Sequence, residues 1–237
     1  MRLSFRSETH LGDCILHAHF LKKLAELYPD IQVDLFQYQP HWDQTKEFLE
    51  DIPQVNLLNY DWAPKDAYRG WVGQFGIPQL PCALDQLRFD SYNKLCDKLR
   101  LECPFKTLED LLLDHHKFRN LEGYGTYDVL FINSKPLSNQ GEFTENDVSS
   151  FLERFSNHSI ITTAKVNNID CTMDKNYSIV DIGCISINAK YIVGIGTGPM
   201  IGCLNIHNKD KKILYIDQHH YFNLPNIKMI QSLNQIC

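Results

Sequence analysis

Apolar residues recur at helical spacing across residues 13–28, where Leu16, Phe20, Leu24 and Leu27 share one face, and Pro29-Asp30 ends the run. The short stretch 2–5 before it reads as a strand, and residues 31–36 after it alternate as a second strand. Strand, loop, helix and strand in that order predict a parallel sheet. A helix over 41–50 and a strand over 55–60 extend the pattern. Periodicity then lapses between residues 61 and 83, where Pro64, Gly70, Gly73, Gly76, Pro78 and Pro81 alternate with Trp62, Tyr68, Trp71 and Phe75. A loop of that length in a compact chain is often functional. Helical spacing resumes at 84–100 through Leu84, Leu87, Tyr92, Leu95 and Leu99, and again at 108–116.

A second start follows residue 122. Glu122-Gly123-Tyr124-Gly125-Thr126 reads as a hinge, and residues 127–133 form a nearly continuous apolar strand of the buried parallel kind. The pattern then gives a helix over 144–155, a strand over 159–163, a helix over 178–186 and a strand over 191–195. It closes with a helix start at 199–205, a strand over 212–216 and a last helix over 227–236. The expected organisation is two Rossmann-like α/β domains, residues 1–121 and 122–237, with the last helix packing back on the first.

Two glycine turns carry the functional signal. Leu11-Gly12-Asp13-Cys14 opens the first long helix, and Gly196-Thr197-Gly198-Pro199-Met200 lies far downstream. Each puts glycine at a strand-to-helix junction, where a backbone without Cβ turns tightly and brings its N–H groups close to a ligand. One such turn near each end of the chain points to two halves facing across a cleft.

Composition removes alternatives. The 237 residues carry a formal net charge of −6, against the basic face of a nucleic-acid binder. No apolar run approaches the roughly 20 residues needed to cross a bilayer, and residues 1–5 lack a signal-peptide core. The eight cysteines form no C-x-x-C pair, which reads as reduced, mostly buried thiols. A cytoplasmic protein is expected, with peripheral membrane contact left open.

The stretch LGDCILHAHFLKKLAELYPDIQVDLF, from residue 11, resembles the opening of the heptosyltransferase-like glycosyltransferases, glycosyltransferase family 9. The stretch YSIVDIGCISINAKYIVGIGTGPMIGCL, from residue 177, is similar to their donor-side signature. The resemblance covers about a quarter of the chain. It implies a GT-B fold, a nucleotide-sugar donor, and a glycan or glycolipid acceptor. Two departures stand out: Gly196 occupies the place of the family's Asp, and Ile201 that of its His. The chain is also shorter than its relatives, so the resemblance implies donor-nucleotide binding in general rather than one sugar.

Glycosyl transfer with inversion needs a base for the acceptor hydroxyl and a site for the departing diphosphate. Asp13 is the candidate base and matches the family's; its bland alternative is a helix cap. Thr197, Gly198 and Met200 offer N–H groups beside Gly196, the Thr197 hydroxyl adds another contact, and Lys135 supplies positive charge. Tyr177 and Ser178, in the region where the resembling family holds the base, are expected beside the nucleobase. His10 and Gly12 at the first turn, with Trp62 and Trp71 in the aromatic loop, are the candidates for acceptor contact; loop packing is the alternative for the tryptophans. No two aspartates stand two residues apart, so no metal-holding Asp-x-Asp pair exists, and neither metal nor cofactor is expected. The pairs His17/His19, His115/His116 and His219/His220 read as non-ligating, because residues two apart on a helix diverge and adjacent histidines are expected to as well.

The leading expectation is an inverting, metal-independent glycosyltransferase. A non-catalytic nucleotide- or glycan-binding module on the same fold is one alternative. A different enzyme on a similar frame, such as a sugar-nucleotide epimerase or hydrolase, is another.

Overall fold

The computed structural model describes residues 1–7, 10–69, 82–136, 141–217 and 219–236. Contacts divide the chain into two compact units. The first comprises Met1–Gln79 and Asp85–Leu113, the second Leu80–Leu84 and Asp114–Cys237. The boundary expected from the sequence lies a few residues further on, at 121/122.

In the first unit, β1 (Arg2–Ser7), α1 (Leu11–Leu27), β2 (Gln32–Gln37), α2 (Trp42–Phe48) and β3 (Val55–Asn59) follow the expected order. β4 (Tyr68–Arg69) is a short strand within the segment expected to be irregular. All pairings are parallel, in the order β3-β2-β1-β4, with Phe5 opposite Leu35 on one side and Tyr68 on the other. Helix α1 is buried on more than one face. Leu16, Phe20 and Leu24 are in the core as expected, and so are Ile15, Ala18 and Leu21 between them, whereas Leu27 is 43% exposed.

The second unit begins with β5 (Cys82–Ala83), after which α3 (Leu84–Leu99) runs into the first unit. There Tyr92 of α3 stacks on Phe20 at 4.4 Å between ring centroids. The helix expected over 108–116 is instead a single 3-10 turn, Leu108–Leu111. Its start is fixed by Thr107 and Asp110, each bonding the other's backbone N–H. A second short turn, His116–Arg119, follows.

The second unit's sheet is built from β6 (Val129–Ile132), β7 (Ile160–Thr162), β8 (Asp170–Cys171), β9 (Tyr191–Ile195) and β10 (Ile213–Ile216), with α4 (Glu145–Arg154), α5 (Ile179–Asn188) and α6 (Gly198–Cys203) as helices. β11 (His220–Tyr221) pairs with β5 in parallel, and β12 (Ile227–Ile230) pairs with β10. The six-stranded order is β12-β10-β9-β6-β7-β8, parallel throughout.

The last helix expected over 227–236 is a correction. Ile227–Ile230 is a strand, and only Leu233–Gln235 turns as a 3-10 helix. The apolar residues Ile227 and Ile230 suit an edge strand, and Ile230, Leu233 and Ile236 join Val129, Phe131, Phe151 and Val193 in this unit's core. No helix among the described residues is long and apolar enough to cross a membrane. The seven described cysteines are all buried, with no disulfide among them.

Candidate functional sites

The first turn departs from expectation in an informative way. His10, not Asp13, is the N-cap of α1: its backbone is extended, its carbonyl accepts the Cys14 N–H at 3.0 Å, and its side chain makes no capping bond. Asp13 is therefore the third residue of the helix, and the capping alternative does not hold. Its carboxylate accepts instead from Arg88 Nη2 at 3.2 Å, a contact from α3 across 75 positions. The Arg88 side chain is 8% exposed and that of Asp13 23%, so a buried cation holds a carboxylate that water still reaches. Arg88 Nε is buried with no hydrogen-bond partner among the described residues. Tyr92 lies one helical turn beyond Arg88. Burial pushes its phenol well above the usual range, Arg88 pulls the other way, and Asp13 adds to the rise.

Gly12 is buried in this turn and His10 is exposed. His10 lies near enough to His41 to add to the fall that burial imposes on that imidazole. Trp62 is 71% exposed at the end of a 3-10 turn, Tyr60–Trp62, that Asn59 caps. Trp71 lies outside the described residues. Sequence reasoning overlooked Tyr38 and Tyr60, whose rings stack at 3.9 Å after β2 and β3.

The histidines of α1 serve the core. The His17 ring lies 5.5 Å from Phe5, while His19 stacks on Phe105 and meets the Asp110 carbonyl at 3.0 Å. The adjacent His115 and His116 do not diverge as expected; their rings are 4.4 Å apart.

The second turn follows β9. Thr197 is the N-cap of α6, with Pro199 in the first helical turn. The Met200 N–H donates to the Thr197 carbonyl at 3.1 Å and that of Gly196 to Ile216 at 3.3 Å. Of the amides expected to face a ligand, those of Thr197 and Gly198 have no hydrogen bond among the described residues, and Met200 is fully buried. The Thr197 hydroxyl is buried with no hydrogen-bond partner among the described residues. Gly196 is dictated by packing: a Cβ there would collide with the Tyr215 hydroxyl and lie 3.2 Å from Asp217 Oδ2. The residue type that departs from the resembling family is the one this neighbourhood admits.

Ser178 is the N-cap of α5. Its hydroxyl accepts the Asp181 N–H at 3.1 Å while Asp181 accepts the Ser178 N–H at 2.8 Å, and Tyr124 donates to the same carboxylate. Half-buried Tyr177 precedes this cap, with its ring 6.1 Å from that of Tyr124. Lys135 is exposed and pairs with Glu142 at 2.8 Å. Sequence reasoning missed Arg88 and Asp217. A polar residue just beyond a parallel strand, as Asp217 is after β10, is the available signal for the second.

No family model matches the chain, and no curated protein matches it in sequence. In structure the chain has the α/β fold of solved heptosyltransferase-like glycosyltransferases. The E. coli heptosyltransferase WaaC with ADP matches at a TM-score of 0.58 and 10% identity, over 100% of this chain and 94% of that one. A glycosyl transferase family 9 protein from Veillonella parvula matches at 0.57 and 12%, over 97% and 86%. The iron-containing dodecameric glycosyltransferase TibC of enterotoxigenic E. coli matches at 0.57 and 12%, over 95% of this chain and 59% of its own.

Proposed function

We propose that the chain is an inverting, metal-independent glycosyltransferase that moves a sugar from a nucleoside-diphosphate sugar to a hydroxyl of a glycan or glycolipid. The observation that carries this reading is a water-accessible carboxylate in the first turn of α1, within a fold matched end to end by heptosyltransferases. Asp13 takes the proton of the acceptor hydroxyl as its oxygen attacks C1 of the sugar, and the bond from C1 to the diphosphate breaks. Arg88 keeps the carboxylate in place. The amides of Thr197 and Gly198 and the Thr197 hydroxyl bind the departing diphosphate, with Lys135 exchanging Glu142 for it. Gly196 and Met200 shape that turn. Tyr177 and Ser178 flank the nucleobase, and His10, Gly12, Trp62 and Trp71 contact the acceptor. Donor binding needs neither metal nor cofactor in this scheme, and the cytoplasm supplies the donor.

The second reading is a non-catalytic nucleotide- or glycan-binding module, favoured by the loss of a carboxylate at Gly196. Asp13→Asn separates the two. In a transferase it lowers turnover by about 10²-fold or more and leaves donor affinity nearly unchanged. In a binding module there is no turnover to lose. A thermal-shift screen of nucleoside diphosphates and their sugars identifies the donor, because a ligand at 100 times its Kd stabilises by about 2.7 kcal/mol.

A further inference from the structure

Beyond β10, groups of His219 and His220 converge on one carboxylate. The Asp217 side chain is wholly buried. It accepts the backbone N–H of His219 at 2.8 Å and of His220 at 3.0 Å, and both its oxygens lie 3.2 Å from His220 Nδ1. A carboxylate already accepting from two amides faces the imidazole as an acceptor too, so Nδ1 carries the proton and Nε2 is left for another partner. Nε2 makes no hydrogen bond among the described residues, and the His220 side chain is 21% exposed. The same carboxylate borders the second glycine turn, since its Oδ2 would lie 3.2 Å from a Cβ on Gly196. The next residue, Thr197, holds a buried hydroxyl with no hydrogen-bond partner among the described residues. The two amide contacts to Asp217 do not account for the oriented ring.

We propose that Asp217 and His220 belong to the nucleotide site. Asp217 is a positioning residue that fixes the imidazole through Nδ1. His220 Nε2–H donates to a phosphate oxygen of the nucleoside diphosphate held at Thr197 and Gly198. With both nitrogens protonated, the ring is a cation between two anions, and its bond to phosphate is charge-assisted. A chain without a carboxylate at position 196 thereby draws one from the neighbouring strand, and that carboxylate aims a cation at the diphosphate. This inference rests on the donor site proposed above.

The test titrates the full chain with ADP, GDP and UDP in a calorimeter and carries the tightest forward. His220→Asn keeps a nitrogen near the Nδ1 position, and with it the Asp217 contact, but removes Nε2. It should weaken binding roughly 10- to 100-fold with an unchanged Tm. In long-range proton–nitrogen spectra of the native chain, the His220 Nε2 resonance should move when the nucleotide is added. That second readout needs no variant and holds even if His220→Asn fails to fold. Native affinity in His220→Asn, with a stationary Nε2 resonance, would overturn the inference. If in the same series Gly198→Val loses binding, the donor site stands and only the role of His220 falls. If the native chain binds none of the three nucleotides, the donor site falls and this inference with it.

Discussion

The two glycine turns look alike in sequence and are supported in opposite ways. At the first, the charged group is on the turn itself: Asp13 projects from α1 and is held by Arg88 of α3. At the second, the turn carries no charged side chain, and the polar support comes from Tyr215 and Asp217 around Gly196. The first turn presents a carboxylate to water; the second presents backbone and a buried hydroxyl. A glycine motif therefore fixes where a backbone bends, while the chemistry around the bend is set by residues far along the chain.

The largest expected effect separates catalysis from support at the first turn. Asp13→Asn should cut turnover by about 10²-fold or more, and it should also lower Tm, because Arg88 then lies buried beside a neutral group. Adding Asp13→Asn to an Arg88→Met background should still cut turnover by about that factor while costing little further stability. If the second substitution leaves turnover as it found it, Asp13 serves only to neutralise Arg88. Arg88→Met alone comes next: breaking a largely buried pair should cost about 3 kcal/mol, read from urea unfolding. The remaining Asp13 can meet water, which keeps the loss at the low end of the usual range for such pairs. A loss under about 0.5 kcal/mol would mean the contact is incidental.

At the second turn, Gly196→Ala should destabilise by about 1–3 kcal/mol through overpacking against the Tyr215 hydroxyl. Tyr215→Phe removes that oxygen and should restore part of the loss, whereas equal costs in both backgrounds would rule out the collision as the cause. The smallest effect lies away from both turns. Asp34 is held below the usual carboxylate range chiefly by its hydrogen bond to Arg2 at 2.6 Å, against an opposing rise from burial. A depressed folded value stabilises above the unfolded value of about 3.9 and is lost as pH falls through the folded one. Arg2 is mostly exposed, so Arg2→Gln should lower the urea midpoint at pH 7 only slightly, and less again at high salt. The difference from the native chain should fade on acidification as Asp34 takes up its proton; a difference that does not change with pH would refute the assignment.

Much of the fold was legible because parallel strands and amphipathic helices announce themselves by period. β1, α1, β2 and β3 came in the expected order, as did β6, α5 and β9. The tail was misread because an apolar run with two isoleucines three apart suits a strand edge as well as a helix face, and only pairing with β10 decides it. Residues 108–116 were misread for the opposite reason: Thr107 and Asp110 close one turn, after which the chain extends. At the sites, the two turns could be read from glycine and the pattern around it. Arg88 could not, because it lies 75 positions from Asp13 and nothing local marks it. Nor could the cause of Gly196, which is a tyrosine on the next strand.

The central claim is a diphosphate site made of protein groups at the turn before α6, and a calorimetric titration in EDTA tests it most directly. The native chain should bind a nucleoside diphosphate equally well with and without EDTA. Gly198→Val, which puts a branched side chain between backbone and phosphate, should weaken that binding at least about tenfold, or 1.4 kcal/mol. Binding that disappears on chelation, or that survives Gly198→Val at full strength, would contradict the account.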